Sequence, residues 1–358
     1  MKMQHRMTTG LVAGLLAAVT LAGCGSGSST GTGKQAGKVA NPGEKVTLRL
    51  GYFSNITHAP AIVGLEKGIF AEKLGPNVTL TPSVFNAGPA AVEAVFSGAI
   101  DATYVGPNPA INAYAKSNGQ AIRIVSGATS GGAFLVVNPQ VNSAADLKGK
   151  KVATPQLGNT QDVALRSWLK SKGLTTDTQG GGDVNIVPQD NAQALEAFKA
   201  GTISGAWEPE PWATRMVQEG KGKILVDERS LWPGGQFVTT QLMVRTAFLK
   251  DHPDVVQHLL EGQVAAVDFM NANPAEAKTL TNQGIQKIAG KALAQSVIDA
   301  AWSNMTFTVD PIASSLRTGA DHAKAVGLLD AGTKLDGIYD LTLLNKALTA
   351  AHKPAVHS

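Results

Sequence analysis

Cysteine is almost missing from this chain: Cys24 is the only one in 358 residues. That excludes an intrachain disulfide framework and any structural zinc site built on thiolates, so the core must hold by packing alone. An excess of one charge is missing too. The formal net charge is +4, and removing Lys2 and Arg6 with the N-terminal segment leaves 29 basic residues against 27 acidic ones. There is no basic run and no interleaving of basic with aromatic residues, which argues against a nucleic acid or another polyanion as partner. Long apolar runs are confined to residues 11–23, thirteen positions where a membrane-spanning helix needs roughly 20. Catalytic signatures are missing as well: no HExxH helix, no GxxxxGK[ST] loop and no nucleophile elbow between a strand and a helix. His252, His258, His322, His352 and His357 are scattered without ligand spacing. No metal, cofactor or catalytic residue is expected.

What is present begins with a leader. Residues 1–10 carry Lys2 and Arg6 and no acid, and the apolar run ends in "LAGC". This resembles the lipobox of bacterial lipoproteins, in which the cysteine is lipidated and becomes the mature N-terminus; the plain alternative is a stray buried cysteine. Two acyl chains on Cys24 would give the stable anchoring that one chain does not. Residues 1–23 are thus expected to be a lipoprotein signal peptide. Residues 24–45 would be the lipidated cysteine and a Gly-, Ser- and Thr-rich tether too poor in apolar side chains to build a core.

About 310 residues remain, more than one core usually serves, so two lobes are expected. Strand-like and helix-like segments alternate. "VTLRLGYF" (46–53), "VTLTPSVF" (78–85), "DATYVG" (101–106), "IRIVSGA" (122–128) and "VTTQLMVR" (238–245) read as strands with helical stretches between the early ones, and the pattern turns helical after Thr246. This is the rhythm of α/β layers with a largely parallel sheet. "AFLVVNP" (133–139) and "TTQLMVRTAFL" (239–249) are apolar, β-branched segments suited to passing between lobes, or to ordinary sheet positions. On the first reading they form a two-strand hinge, with lobe one at 46–136 plus 242–358 and lobe two at 137–241.

In open α/β sheets ligands bind beyond the carboxyl ends of strands. Four strand–helix junctions here share one chemistry: "NAGP" (86–89), "GPNP" (106–109), "TSGG" (129–132) and "GNTQD" (158–162). Glycine lets backbone approach a ligand, Asn or Thr caps a helix, and Pro suits the first turn. Free N–H groups and the helix dipole then favour an anion. The same residues are also ordinary caps. In the last junction Asn159 or Thr160 is the expected cap, and Asp162 in the first turn satisfies part of the helix end itself. Arg166, a turn further on, reads as a surface or salt-bridge residue. In "GAWEPEPW" (205–212) a strand stops at Trp207 and Glu208, which would point at one cleft edge. Trp207 would stack on an apolar ligand tail or fill the core. Glu208 would meet a ligand ammonium, bond the other lobe on closure, or form an ion pair. Trp212, Trp232 and Trp302 read as packing residues.

The segments "GYFSNITHAPAIVGLEKGIFAE", "FNAGPAAVEAVFSGAIDATYVGPNPAINAYAKS", "TPQLGNTQDVALRSWLK" and "GAWEPEPWATRM" resemble the substrate-binding proteins of ABC-type importers for aliphatic sulfonates, taurine and nitrate. The resemblance covers most of residues 46–274. It implies an α/β periplasmic-binding-protein (Venus-flytrap) fold of two lobes. It also implies a monomer that clamps a small organic anion and hands it to a permease driven by a separate ATPase. The ligand contacts it implies come from Ser54, Asn55 and His58; Asn86, Ala87 and Gly88; Gly106 and Asn108; Thr129, Ser130, Gly131 and Gly132; Asn159, Thr160 and Gln161; and Trp207 and Glu208.

These loops contain His58 but no Lys or Arg, so an anion would rely on N–H groups, hydroxyls and His58, either neutral or protonated. Such a pocket suits a sulfonate, whose charge spreads over three oxygens. Taurine, nitrate, bicarbonate or a pyrimidine compound are the alternatives, and Glu208 facing the ligand would favour taurine over nitrate. Enzymes share the fold, but those resembling the iron-dependent precursor synthase rely on a cysteine-rich motif that this chain lacks. A sensor domain would use the same fold as well. Glu93, Glu196 and Glu219 are surface carboxylates suited to docking a permease.

Overall fold

The computed structural model describes residues 45–358. The expected signal peptide, Cys24 and all but the last residue of the tether lie outside them. In chain order the elements are β1 (Val46–Phe53), a 3₁₀ turn (Ile56–His58), α1 (Ala59–Glu66), α2 (Ile69–Leu74), β2 (Val78–Phe85), α3 (Gly88–Phe96), β3 (Ala102–Val105), α4 (Pro107–Lys116) and β4 (Ile122–Gly131). There follow β5 (Ala133–Val137), β6 (Lys151–Thr154), α5 (Thr160–Ser171), β7 (Asn185–Pro188), α6 (Asn191–Lys199), β8 (Gly205–Pro209), α7 (Trp212–Gln218), β9 (Lys223–Asp227) and β10 (Val238–Arg245). The chain then turns helical: α8 (Thr246–Asp251), α9 (Pro253–Ala272), α10 (Pro274–Ala289), α11 (Gln295–Ser303), the short β11 (Met305–Phe307), α12 (Ala313–Ala325) and α13 (Thr342–Ala350). Among the described residues no helix is long and apolar enough to cross a membrane.

Two sheets organise these elements. The first has the order β11-β4-β10-β3-β1-β2, the second β7-β6-β8-β5-β9. Strands β1, β2 and β3 run parallel, as do β6, β7 and β8, each pair joined by a helical crossover. The expected largely parallel sheet needs one correction. β10 lies antiparallel between β3 and β4, and β5 antiparallel between β8 and β9. Both are the strands by which the chain enters a sheet after leaving the other, so no crossover helix constrains their direction.

The sheet changes also fall elsewhere than the apolar segments suggest. β5 belongs wholly to the second sheet and β10 wholly to the first, so the expected boundaries at 136/137 and 241/242 lie inside strands. The outward passage is made at Gly131 and Gly132, with φ of +80° and +75°, a left-handed pair that only glycine adopts cheaply. The return is made between β9 and β10, residues 228–237. β-branched apolar runs mark strands buried on both faces, and that is what β5 and β10 are.

Each sheet is packed on both faces. Leu48, Leu50, Tyr104, Leu242 and Val244 meet α9 and α13 residues such as Leu259 and Leu344 on one side of the first sheet. Val105, Ile111, Ile122, Met243 and Leu316 pack on the other. In the second sheet Leu135, Val152 and Trp207 face Leu165 and Trp168 of α5, while Phe134, Val136 and Ala206 face Leu195, Phe198 and Met216 of α6 and α7. With helices on both faces of each sheet, the two sheets approach each other at their strand ends.

Candidate functional site

The cleft between the sheets is floored by helix starts. Gly106 is the N-cap of α4, Asn159 the N-cap of α5, Asn191 the first residue of α6, and Asn55, Thr57 and His58 form the turn leading into α1. These residues line one cavity of about 20 Å³ together with Phe53, Asn86, Pro155, Thr160, Gln161, Pro209, Thr239 and Thr240. Each helix start carries up to about half a positive charge from its aligned peptide dipoles and leaves first-turn N–H groups without intrahelical partners. At α5 the Asn159 side chain caps only the Thr160 N–H, at 2.8 Å. The lining holds no Lys or Arg. Two hydroxyls there, Thr160 Oγ1 from the second sheet's side and Thr240 Oγ1 from the first's, are buried without a partner among the described residues. A larger depression of about 870 Å³ lies between α4 and residues 327–336, and no residue of the junctions singled out in the sequence lines it.

The closure is tight. A Cβ placed on Gly106 would sit 2.4 Å from Thr160 Oγ1, so two helix starts meet head to head across the cleft. Hydrogen bonds cross beside them. The Trp212 indole donates to Asn55 Oδ1 at 2.8 Å, Asn304 Nδ2 to Glu210 Oε1 at 2.8 Å, Asn86 Nδ2 to Asp190 Oδ2 at 3.2 Å, and the Thr57 N–H to the Glu210 carbonyl at 3.4 Å.

His58 is neutral. It is buried against the Phe53 ring, centroids 4.2 Å apart, and its Nδ1 accepts the Phe53 N–H at 3.3 Å, which leaves the proton on Nε2. Burial lowers its pKa to about 3. Of the two states open in the sequence, burial and the accepted N–H both favour the neutral one.

The structure places the sequence-predicted residues in three groups. Asn55, His58, Asn86, Gly106, Asn159, Thr160 and Gln161 reach the cavity. A second group stands directly behind it. Thr129 donates to the Thr57 carbonyl at 2.7 Å, the Ser130 hydroxyl accepts the Phe237 N–H at 3.3 Å, and Thr239 Oγ1 donates to the Gly131 carbonyl. The Gly132 carbonyl accepts the Glu210 N–H, Ala87 is the N-cap of α3, and Ser54 keeps a buried hydroxyl without a partner. The third group faces away: Gly88 packs on Pro109, and Asn108 Nδ2 donates to the Gly319 carbonyl.

Trp207 and Glu208 do not share a cleft edge, because successive strand residues point to opposite faces of a sheet. Trp207 lies edge-on to Trp168 in the core, and its indole donates to Glu228 Oε2 at 2.7 Å. Glu208, wholly buried on the other face, lies beside Asn191. Arg166 is not a surface residue. Fully buried, it pairs with Asp162 at 3.1 Å and donates to the Asp177 carbonyl, while Asp162 also accepts from the Gly158 N–H and the Thr154 hydroxyl. Both charges are thus spent beneath α5 and leave its N-terminus open.

Three polar residues of the cavity lining, Asn191, Thr239 and Thr240, escaped the sequence reading, as did Trp212, which is not part of that lining. Asn191 had a signal, since "PQDN" (188–191) is another polar strand–helix junction. Thr239 and Thr240 had none beyond a β-branched run, and Trp212, read as packing, acts through a partner 157 residues away.

Glu228 lies in the return passage and accepts from the Trp207 and Trp232 indoles, at 2.7 and 3.3 Å. Burial nevertheless pushes its pKa up to about 7, with nearby Asp227 adding to the rise and both indoles opposing it. An unfolded glutamate titrates near about 4.3, so the folded protein holds a proton that the unfolded chain releases. The stability tied to it is fully present below about pH 4.3 and is lost as the pH rises through about 7. Thermal melts of Glu228→Gln should therefore decline less steeply with pH than the wild type between about pH 5 and 8; parallel curves would mean that Glu228 is ionised in the fold.

The model of the NMT1-like family matches residues 41–283. A Brucella abortus protein named as a binding protein is 26% identical over 241 residues, 66% of this chain and 71% of its own length. A Bacillus subtilis protein named for aliphatic sulfonates is 26% identical over 356 residues, 96% of this chain and 97% of its own. The crystal structure of the periplasmic nitrate-binding protein from Synechocystis aligns with a TM-score of 0.74 at 20% identity, covering 87% of this chain and 90% of that one. The fold is the two-lobed α/β fold of periplasmic binding proteins, with two connections between the lobes.

Proposed function

Because the chain belongs to the NMT1-like family, we propose that it is the extracytoplasmic substrate-binding component of an ABC importer. In this reading it captures a small organic anion, an aliphatic sulfonate, between its lobes and delivers it to the permease. We assign residues 46–131 and 238–358 to one lobe and 133–227 to the other, and take the chain to be a monomer tethered to the membrane through lipidated Cys24.

The observation that carries the reading is the convergence of helix starts from both lobes on one cavity without a lysine or arginine. Anionic oxygens are the groups that satisfy open N–H ends and unpartnered hydroxyls at once. An anion bridging the lobes binds the closed form better than the open one, and hinge closure follows from that difference. The relative named for aliphatic sulfonates, which spans nearly the whole chain, supports the choice of ligand.

A second reading, nitrate or bicarbonate, is favoured by the cavity volume. About 20 Å³ holds roughly one water molecule, so nitrate or bicarbonate, with four heavy atoms, requires less widening of this cavity than a sulfonate with its alkyl group.

Thermal shift of the full chain against methanesulfonate, longer alkanesulfonates, taurine, nitrate, bicarbonate, sulfate and a hydroxymethylpyrimidine decides between them. A ligand at 100 times its dissociation constant adds about 2.7 kcal/mol, a shift of several degrees. Sulfonates alone are expected to shift the melt. A response to nitrate or bicarbonate alone supports the second reading, and a response only to the pyrimidine overturns both.

A further inference from the structure

Beside the cavity lies a buried polar chain that anion capture by helix starts does not by itself require. Glu208 is wholly buried on β8, and its Oε1 has no hydrogen-bond partner among the described residues. Among the described residues no charged group compensates it. Asp190, at the head of α6, bonds Asn86; Glu210, two residues along, bonds Thr214 and Asn304; Arg229 pairs with Asp227; and His58 bonds Phe53. The neighbour of Glu208 is the amide of Asn191, which itself lines the cavity. That amide lies between Glu208 Oε2, 3.0 Å from one end, and the Trp212 indole nitrogen, 3.2 Å from the other.

The two orientations of this amide have opposite consequences. With its oxygen toward Glu208, the 3.0 Å contact is oxygen to oxygen and needs a proton, which only a neutral Glu208 supplies. The NH₂ group then lies on the Trp212 side, cannot accept from the indole, and is a donor at the cavity wall. The single indole N–H goes instead to Asn55 across the cleft, at 2.8 Å. With the amide reversed, its NH₂ donates to Glu208 Oε2, the orientation that an ionised Glu208 requires. Its oxygen then faces the indole, competes with Asn55 for the N–H, and offers an anion an acceptor instead of a donor.

We infer that Glu208 is a positioning residue: through the orientation of Asn191 it sets whether the cleft wall presents a donor or an acceptor, and whether the Trp212 indole clasps Asn55 across the closed cleft. This rests on the anion-binding reading above. The anion is captured together with a proton held on Glu208, which comes from solvent when the open form is ionised. Burial raises the pKa of this carboxyl well above its ordinary value, in keeping with a neutral group. As the pH rises through that folded pKa, Glu208 ionises, Asn191 reverses and anion affinity falls.

The test titrates the full chain with methanesulfonate and with nitrate from about pH 6 to pH 9. Above the Glu208 pKa the wild type should lose about tenfold in affinity per pH unit, the slope of one proton taken up per anion. Glu208→Gln, whose amide donates to Asn191 as the neutral acid does, should bind as tightly as the wild type at low pH and lose the slope. Asn191→Ala should bind more weakly and lose it too. A Glu208→Gln slope equal to that of the wild type overturns the inference.

A ligand-free arm keeps it separate from the binding reading. The infrared difference between wild type and Glu208→Gln should contain a protonated-carboxyl band at neutral pH, and the Trp212 indole N–H resonance should move with pH in the wild type alone. If no anion binds at any pH the binding reading fails, while these two signals still decide the protonation and the exchange of partners. A carboxylate band at neutral pH, or an indole resonance that moves alike in both proteins, overturns the inference. If Glu208→Gln does not fold, Asn191→Ala supplies the comparison: it should keep the protonated-carboxyl band and hold the indole resonance fixed.

Discussion

Gly106→Ala should weaken ligand binding by about 5- to 150-fold while leaving the fold of the ligand-free protein unchanged. The position has φ −70° and ψ 162°, which alanine adopts without strain, so nothing in the backbone of α4 opposes the change. Its methyl group would stand 2.4 Å from Thr160 Oγ1 on the opposite lobe. Overpacking of this kind costs typically 1–3 kcal/mol, which is the affinity loss just given. The cost falls on closure and not on folding, because opened lobes relieve the contact. Calorimetric titration measures the loss, small-angle scattering should show a larger radius of gyration under ligand, and thermal melts of the free protein should match the wild type. Adding Thr160→Ala removes the clashing oxygen and should recover much of the affinity, a coupling that a double-mutant cycle isolates. Full affinity in Gly106→Ala would mean that the bound lobes stand further apart than they do here.

The same contact shows why part of this site was legible in the sequence. Helix starts are local: a cap, a glycine and a proline within four residues declare one, and the rule for open sheets says which end of the strand it occupies. Asn86, Gly106, and Asn159 with Thr160 and Gln161 were found in that way, Asn55 and His58 only through the family resemblance, and the fold brings them all to one cavity. What local pattern does not carry is direction and partnership. Trp207 and Glu208 are adjacent in sequence, so a reading by segment sends them to one edge, whereas the pleat sends them to opposite faces. Asp162 and Arg166 have the spacing of an i,i+4 pair, but their complete burial comes from the packing of α5 onto the second sheet. Trp212 finds Asn55 only because the lobes close. The strands β5 and β10 read as bridges between lobes because buried central strands and inter-lobe strands are equally apolar. The glycines that make the outward passage, Gly131 and Gly132, were read as a ligand loop, since a left-handed turn serves either purpose.

Thr160→Glu should abolish anion binding, by at least about 100-fold, without destabilising the protein. Thr160 is the first residue of α5, its N–H is already capped by Asn159, and its hydroxyl is buried at the cavity without a partner among the described residues. A carboxylate in a first helical turn is favoured by the dipole by about 0.3–1 kcal/mol, so the helix itself should not suffer. The new charge would occupy the place and the field that the proposed ligand uses, and a second anion there would meet a like charge with no cation in the lining to divide them. A loss of two powers of ten corresponds to about 2.8 kcal/mol, modest for two negative charges a few ångströms apart where water is scarce. Thr160→Gln, of nearly the same size and uncharged, separates charge from bulk: it should retain more affinity than the glutamate variant at every pH where the latter is ionised. Equal losses in the two would assign the effect to bulk. Unchanged binding in both, with melting temperatures equal to the wild type, would make the head of α5 an ordinary capped helix and would require the anion to be held by the other helix starts alone.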